Sequence, residues 1–361
     1  MRERCPAFLL PARARSPAIS WEQHVEKGCL VHGIRARDLP LIRAEIAAWL
    51  ADPGPLGGPA TWASGHEPRT AAEEWQAAGR WATALRAADL FYVSAGMSRT
   101  AVSAGVALPS YRLHEEDVPS RHGLLVWEEP VTPVHHGGEF TGAPLTAASW
   151  TTLGNRVHVR LWTSREYWIT SMAEGDSKLG LRELSAAETR ALRLRHPQPI
   201  VCMFSGFLPF RKTPGWLAST PSDTSSMSWA ELEDRCRAAS RHELAERALI
   251  ASWLLIGQTI VREEELQISK AAAKQVSRID PRLLTSVRYA YLRHRRSAPA
   301  RPADGDRRRY DRYQWVVGGH WRDHWFPSRQ ATRPLWIDDH LKGPEGAPLL
   351  DPAKLVHVLR R

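Results

Sequence analysis

Apolar residues recur at intervals of three and four near the start of the chain, which is the spacing of an amphipathic helix. Asp38 precedes such a run, in which Leu39 and Ile42 share one helical face, so a helix is predicted to begin there. Residues 70–92 repeat the pattern and predict a second helix. We therefore expect residues 1–95 to form an N-terminal helical segment.

Further along the chain the period of the pattern falls to two, as expected of β-strands. A Gly-Asn dipeptide at 154–155 separates two short apolar runs and predicts a hairpin turn. In the second run, apolar side chains alternate with His158 and Arg160, so one strand face is apolar and the other is mixed. Residues 96–222 are therefore predicted to form a mainly antiparallel sheet. Its predicted strands are residues 111–114, 123–127, 149–153, 157–162 and 199–204.

A helical region is predicted over residues 223–300. Ser228 and Glu231 have the spacing of a capping box, which marks the start of a helix. Residues 244–261 are apolar nearly all round, and such a helix is normally buried in the centre of a fold. An Asp-Pro pair at 280–281 predicts a further helix, because proline fits the first helical turn.

The last segment, residues 301–361, is predicted to be a basic linker followed by a Trp-rich unit. Two strand-like runs, 313–317 and 333–340, enclose a stretch that is dense in tryptophan, histidine and arginine. This arrangement predicts a hairpin. The whole pattern predicts an α+β fold with a central mainly antiparallel sheet, an N-terminal helical segment, a long buried helix and a C-terminal Trp-rich hairpin.

The positive charge is concentrated near the C-terminus. The chain carries a net charge of +10, and residues 288–333 hold twelve arginines against four aspartates, which is +8 of that total. A basic face of this kind favours phosphates or an acidic partner. Its densest part, Arg307, Arg308, Arg309 and Arg312, is predicted to bind such a partner. The alternative is a solvated arginine-rich loop in a chain that uses arginine, alanine and proline freely.

The chain shows no sign of a membrane or secretory context. Its four cysteines stand far apart and form no CxxC pair, which fits a reducing cytoplasm. The best candidate for a membrane span, residues 249–261, is shorter than the ~20 residues that a span requires. We therefore expect a soluble, cytoplasmic protein with no membrane partner.

Candidate catalytic groups are few. No nucleotide-binding, hydrolase or zincin motif is present, and no cofactor is expected. The acidic run 115–117 is interpreted as a solvated turn, because neighbouring carboxylates on extended chain point apart. His320 and His324 have the spacing of a helical metal site, with Asp323 or His340 as a candidate third ligand. Two glycines at 318–319 oppose a helix there, so hydrogen-bonded structural histidines are favoured over a metal site.

Four features follow one another near the C-terminus. They are a basic lead-in, the sequence Gly-Gly-His-Trp-Arg at 318–322, an aromatic residue at Trp325 and a strand with a further tryptophan. This order resembles the C-terminal signature of a phage- and plasmid-associated family, which includes an anti-CRISPR protein that lowers synthesis of its type V target nuclease. The resemblance implies a mobile-element origin and a mode of action linked to translation or message stability. Gly318 replaces the arginine that is usual in the signature. The residues that match it are His320, Trp321, Arg322 and Trp336.

Three functions fit these patterns. The favoured one is a non-enzymatic regulator of mobile-element origin that binds a protein or ribonucleoprotein target, with RNA as a further candidate partner. The second is a metal-dependent nuclease that uses the C-terminal histidines, and the third is a structural or scaffold protein whose tryptophans form core. The residues predicted to bind the partner are Arg307, Arg308, Arg309, Arg312, His320, Trp321, Arg322, Trp325 and Trp336.

Overall fold

A seven-stranded sheet forms the centre of the fold. The computed structural model describes residues 33–51, 71–131, 144–173, 185–211, 243–293, 313–327, 330–344 and 347–348. The strands of the sheet are β1 (Asp89–Val93), β2 (His122–Val131), β3 (Leu145–Leu153), β4 (Arg156–Ser164), β5 (Ile200–Pro209), β6 (Val261–Leu266) and β7 (Val287–Leu292). They lie side by side in the order β5-β4-β3-β2-β1-β7-β6.

Helices cover both faces of this sheet. The helices of the described residues are α1 (Leu39–Ala51), α2 (Ala71–Arg86), α3 (Ala95–Val106), α4 (Arg165–Ala173), α5 (Ala186–Arg195), α6 (Glu243–Ile256) and α7 (Lys270–Ile279). α1 and α2 share one core with Leu124 and Trp162 of the sheet. α3 and α6 share the opposite core with Trp127 and Trp150. The fold therefore has three layers, with a buried sheet in the middle.

The sheet is mixed, so the prediction of a mainly antiparallel sheet is wrong. β1 lies parallel to both of its neighbours, β2 and β7. The other adjacent strands are antiparallel. The cause is helix α3, which follows β1 and packs against β2. It carries the chain back across the sheet, so β2 begins at the same edge as β1.

Residues 70–92 are only partly helical, contrary to the prediction. α2 ends at Arg86, and β1 begins at Asp89 in the interior of the sheet. Residues 90–93 are all buried, and a short continuous apolar run fits a buried strand as well as a buried helix. Residues 89–93 form a strand because their main chain pairs with β2 on one side and β7 on the other.

Two further predicted elements are wrong. The Asp-Pro pair starts only a short 3-10 helix, Pro281–Leu283, and the residues after it form β7 between β1 and β6. Residues 111–114 are not part of a strand. In both places tertiary contacts, and not the local sequence pattern, determine the backbone conformation.

The remaining predicted elements are confirmed where the structure describes them. α1 begins directly after Asp38. β3 and β4 form an antiparallel hairpin, and Gly154 in its turn has a φ of 58°, a left-handed conformation that glycine adopts without strain. Every residue of α6 after Glu243 is buried, as expected of the long apolar helix. The helix ends at Ile256, however, and the predicted helical region continues as strand β6 from Val261. The predicted capping box of Ser228 and Glu231 lies outside the described residues.

Three of the four predicted segments contribute strands to the same sheet. β1 comes from residues 1–95, β2 to β5 from 96–222, and β6 and β7 from 223–300. The boundaries between the segments remain predictions. Within the part of the chain that the structure describes, no helix combines the length and apolar character needed to cross a membrane.

Candidate functional site

The C-terminal unit is one long antiparallel hairpin, as predicted. Its strands are β8 (Trp315–Val317), β9 (His320–Phe326), β10 (Ala331–Ile337) and β11 (His340–Lys342). β9 pairs with β10, and β8 pairs with β11. Both pairs follow a single register, since Ile337 lies opposite His320 and His340 lies opposite Val317. The ladder is interrupted beside the two glycines at 318–319.

Two of the predicted binding residues, Trp321 and Trp336, are anchors of this hairpin in the core. Their side chains are only 5% and 2% exposed, and their rings pack edge to face with centroids 5.3 Å apart. The indole N–H of Trp321 donates a hydrogen bond of 2.7 Å to the carbonyl oxygen of Ala104 in α3. Because both indoles are buried, they cannot form the outer surface that would meet a partner.

Gly319 and Gln258 fix the position of Trp336. A Cβ atom at residue 319 would lie 2.3 Å from Cζ2 of Trp336, so the indole requires a glycine beneath it. The side-chain oxygen of Gln258 accepts a hydrogen bond of 3.0 Å from the main-chain N–H of Trp336. Its amide nitrogen donates to the carbonyl of Pro334 at 3.3 Å. Since Gln258 follows α6, these bonds tie the hairpin to the buried helix.

Arg333 ties the hairpin to the predicted acidic turn. Its Nη1 donates to Oδ1 of Asp117 at 3.1 Å, and the guanidinium also contacts Glu116. The other carboxylate oxygen of Asp117 accepts from the Tyr111 hydroxyl at 2.8 Å and from the His114 main-chain N–H at 2.7 Å. Burial, and then the Asp117 charge, raise the pKa of Tyr111. The interpretation of this run as a solvated turn is therefore wrong for Asp117, which is buried.

The C-terminal histidines do not converge on a common point. Nδ1 of His320 donates a hydrogen bond of 3.0 Å to the carbonyl oxygen of Gly318. His324 packs edge-on against Phe326, with ring centroids 4.8 Å apart. Among the described residues, no three histidine, cysteine or carboxylate side chains come together as a metal site. The metal-ligand interpretation of the histidines therefore has no support in this geometry.

The exposed side chains of β9 lie beyond these anchors. Trp325 is 54% exposed and stands opposite Thr332, while Arg322 and Asp323 are also exposed. Because side chains alternate along a strand, Trp325 and Asp323 lie on the same face of β9 as Trp321, and Arg322 lies on the other face. The predicted basic residues lie outside the described residues; they are Arg307, Arg308, Arg309 and Arg312.

A second polar cluster lies on the opposite sheet face, beneath α2. Arg160 on β4 is only 9% exposed, and its guanidinium carbon lies 4.2 Å from the ring centroid of Trp81. Its Nη2 donates to Nδ1 of His158 at 3.2 Å. The alternation of His158 and Arg160 with apolar residues marks this strand face in the sequence. Nothing in the sequence indicates that Trp81 covers it.

The charge of Arg160 is not balanced by its neighbours. Desolvation lowers the pKa of Arg160 to about 10, so the group remains cationic at neutral pH. Among the described residues, the charge that acts on this pKa is that of Cys202. Desolvation raises the pKa of Cys202 to about 11, although Arg160 acts in the other direction. The thiol is therefore protonated at pH 7 and supplies no negative charge.

Ser205 and His158 have the separation of a nucleophile and its base, with 2.6 Å between Oγ and Nε2. The proton arrangement is unsuitable for that chemistry. Because Arg160 donates to Nδ1, the imidazole carries its proton on Nε2 and donates it to Ser205. A catalytic triad has a carboxylate where Arg160 stands, and a cation there opposes protonation of the ring. The cluster is not arranged for nucleophilic catalysis.

The described residues therefore contain two polar groups of interest, an exposed one at the end of the hairpin and a buried cluster beneath α2. They lie on elements that face different sides of the sheet. Comparisons of the chain with protein-family models, with curated proteins and with solved structures found no match.

Proposed function

We propose that this protein is a non-enzymatic regulator that binds a protein or ribonucleoprotein target through the exposed end of its C-terminal hairpin. The exposure of Trp325 carries the proposal, since its side chain is 54% exposed on the same strand as the buried Trp321. Tryptophan and arginine are enriched at the energetic centres of interfaces. Arg322, also exposed on this strand, offers a guanidinium to an acidic group.

The anchoring of the hairpin supports this proposal. Trp321 is bonded to Ala104, the main chain at Trp336 is bonded to Gln258, and Arg333 is bonded to Asp117. A strand held at several points loses little conformational freedom when its outer side chains meet a partner. Trp325 and Arg322 are therefore presented on a rigid element.

The charge of the chain favours an acidic partner. The net charge is +10, and the four predicted basic residues precede the hairpin in the sequence. Arginine binds phosphates, and an exposed indole stacks on unpaired bases, so the RNA of a ribonucleoprotein fits this combination. Three further parts of the proposal rest on the sequence alone. They are the mobile-element origin, the link to translation or message stability and the cytoplasmic location.

The burial of Trp321 and Trp336 favours the structural alternative for those two residues. The proposed contact residues are therefore the exposed ones on β9, Trp325 and Arg322, which project from opposite faces of the strand. For the nuclease alternative, the side chains of His320 and His324 already have other partners in the hairpin, Gly318 and Phe326. No described feature supports a hydrolytic centre there, so the binding proposal is preferred.

Affinity purification of the tagged full-length chain from its native host tests the proposal. The experiment compares the wild type with Trp325→Ala and with Leu194→Ala, a control in which an exposed apolar side chain on α5 is removed. We expect one partner that the wild type and the control retain and that Trp325→Ala loses. Nuclease treatment during purification tells a ribonucleoprotein from a protein partner. Equal retention by Trp325→Ala would overturn the role of the hairpin.

Direct binding of RNA is measured separately, by fluorescence anisotropy with a labelled single strand at ~50 and ~200 mM salt. Replacement of Arg307, Arg308 and Arg309 by alanine should weaken binding and reduce the salt slope, because each phosphate contact releases counterions. No binding by the wild type at ~50 mM salt would remove RNA from the candidate partners.

A further inference from the structure

Arg160 is a buried cation without an acidic partner among the described residues. Its guanidinium has five N–H donors, and within the described residues the hydrogen bond that it makes runs to His158. Its other contact is with the face of Trp81, which compensates only part of the charge. A buried charge is stable when it is paired and fully hydrogen-bonded, so this site favours an added negative group.

A second donor beside Arg160 also lacks a partner. The indole Nε1 of Trp81 is buried and makes no hydrogen bond with the described residues. The guanidinium carbon of Arg160 lies 4.2 Å from the ring centroid of Trp81, so the indole N–H and the guanidinium are neighbours. A buried N–H without an acceptor is costly, and an acceptor bound at the edge of these two groups would satisfy the indole N–H and also reach the guanidinium.

A hydroxyl completes the group of donors. Ser149 lies opposite Arg160 on β3. Its oxygen accepts a hydrogen bond of 3.1 Å from Nε1 of Trp162, which leaves the hydroxyl proton to be donated. No carboxylate is among the described residues that line the crevice between α2 and the sheet. These residues are Trp81, Ala84, Leu85, Gly123, Ser149, Trp150, Thr151 and Arg160.

We propose that this crevice binds an oxyanion of the phosphate class, held by the Arg160 guanidinium, the Trp81 indole N–H and the Ser149 hydroxyl. A phosphate group has several oxygens in a tetrahedral arrangement, so it accepts bonds from donors on α2, β3 and β4 at once. The arginine fork also matches two oxygens of a phosphate. The donors belong to the sheet and to α2, so this site is separate from the hairpin surface.

Binding requires a movement of Trp81. The crevice holds about 150 Å³ of space between atoms, but no part of it is wide enough for a water molecule. Trp81 is half-buried on α2, so an outward shift of its ring that keeps the indole N–H beside Arg160 would open this space. Inorganic phosphate would need less of this added space than a phosphate monoester, whose remainder would have to extend past α2.

Thermal unfolding with added sodium phosphate tests the site, with sodium chloride of equal ionic strength as the reference. Phosphate should raise the Tm of the wild type and of Arg156→Met, which removes an exposed arginine from the same face of β4. It should leave the Tm of Arg160→Met unchanged. In chloride, Arg160→Met should be at least as stable as the wild type, since methionine fills space beneath Trp81 without a buried charge.

Trp81→Phe gives an independent test that keeps the ring and removes its donor. Titration calorimetry should show phosphate binding about tenfold weaker than in the wild type. Adenosine monophosphate distinguishes the source of the anion: tighter binding than phosphate indicates a monoester, and weaker binding indicates the free ion. The proposal is overturned if phosphate has no effect beyond chloride on the wild type, or if Arg160→Met responds as the wild type does.

Discussion

The indole N–H of Trp321 donates a hydrogen bond to the carbonyl oxygen of Ala104, 217 residues earlier in the chain. Ala104 lies in the last turn of α3, where carbonyl groups lose their partners within the helix. The neighbouring carbonyls of Ser103 and Gly105 accept from Ala107 and Leu108. Trp321 therefore supplies the donor that the end of α3 requires, and the C-terminal hairpin completes a helix of the central fold.

Trp321→Ala should lower the free energy of unfolding by about 3–5 kcal/mol, because it removes a buried indole and leaves the Ala104 carbonyl without a partner. Trp321→Phe should cost less, since the ring is retained. The control is Trp325→Ala on the same strand, which is exposed and should change stability by no more than ~0.5 kcal/mol. Urea denaturation measures all three. Equal losses for Trp321→Ala and Trp325→Ala would contradict the anchoring role.

Gly319→Ala should destabilise the protein by about 1–3 kcal/mol through overpacking. The added methyl would lie 2.3 Å from Cζ2 of Trp336 and 3.1 Å from the side chain of Asp339. Gly79→Ala on α2 is a matched control, because its methyl would meet nothing within 4 Å. That substitution should be neutral or should stabilise the helix by up to ~1 kcal/mol. The prediction fails if the two variants melt at the same temperature.

Arg333→Met should cost about 2–3 kcal/mol, because the buried Asp117 loses its guanidinium partner. Glu116 also contacts Arg333, but its side chain is 63% exposed. Glu116→Gln should therefore change stability by less than ~0.5 kcal/mol. A double-mutant cycle of Arg333→Met with Asp117→Asn isolates the pair. A larger loss from Glu116→Gln than from Arg333→Met would show that the exposed contact dominates.

Elements that depend on their own residues could be predicted from the sequence. The apolar run of α6 is long enough to indicate a buried helix wherever it packs, and the alternation in β4 indicates a strand by itself. β1 lacks such a signal, because its five residues identify a strand only when β2 and β7 lie beside them. The parallel pairing of β1 with β2 and β7 also depends on these neighbouring strands, so the residues of β1 alone do not predict it.

The contacts that define the two candidate surfaces are also long-range. The burial of Asp117 depends on Arg333, which lies 216 residues away in sequence. Arg160 becomes a buried cation only because Trp81 of α2 covers it. A sequence shows that a strand face is mixed, but it does not show which helix packs on that face. Trp321 and Trp325 illustrate this limit, since both were predicted to bind a partner and only Trp325 is exposed.

His320→Gln should retain more stability than His320→Ala, because a glutamine amide can replace the hydrogen bond that Nδ1 donates to Gly318. The difference should be about 0.5–1.5 kcal/mol, the usual contribution of one such bond. A metal ligand would behave otherwise, since glutamine binds zinc poorly. Incubation with EDTA should therefore leave the Tm of the wild type unchanged. Stoichiometric zinc or manganese in the purified protein, absent from both variants, would overturn this role and favour the nuclease alternative.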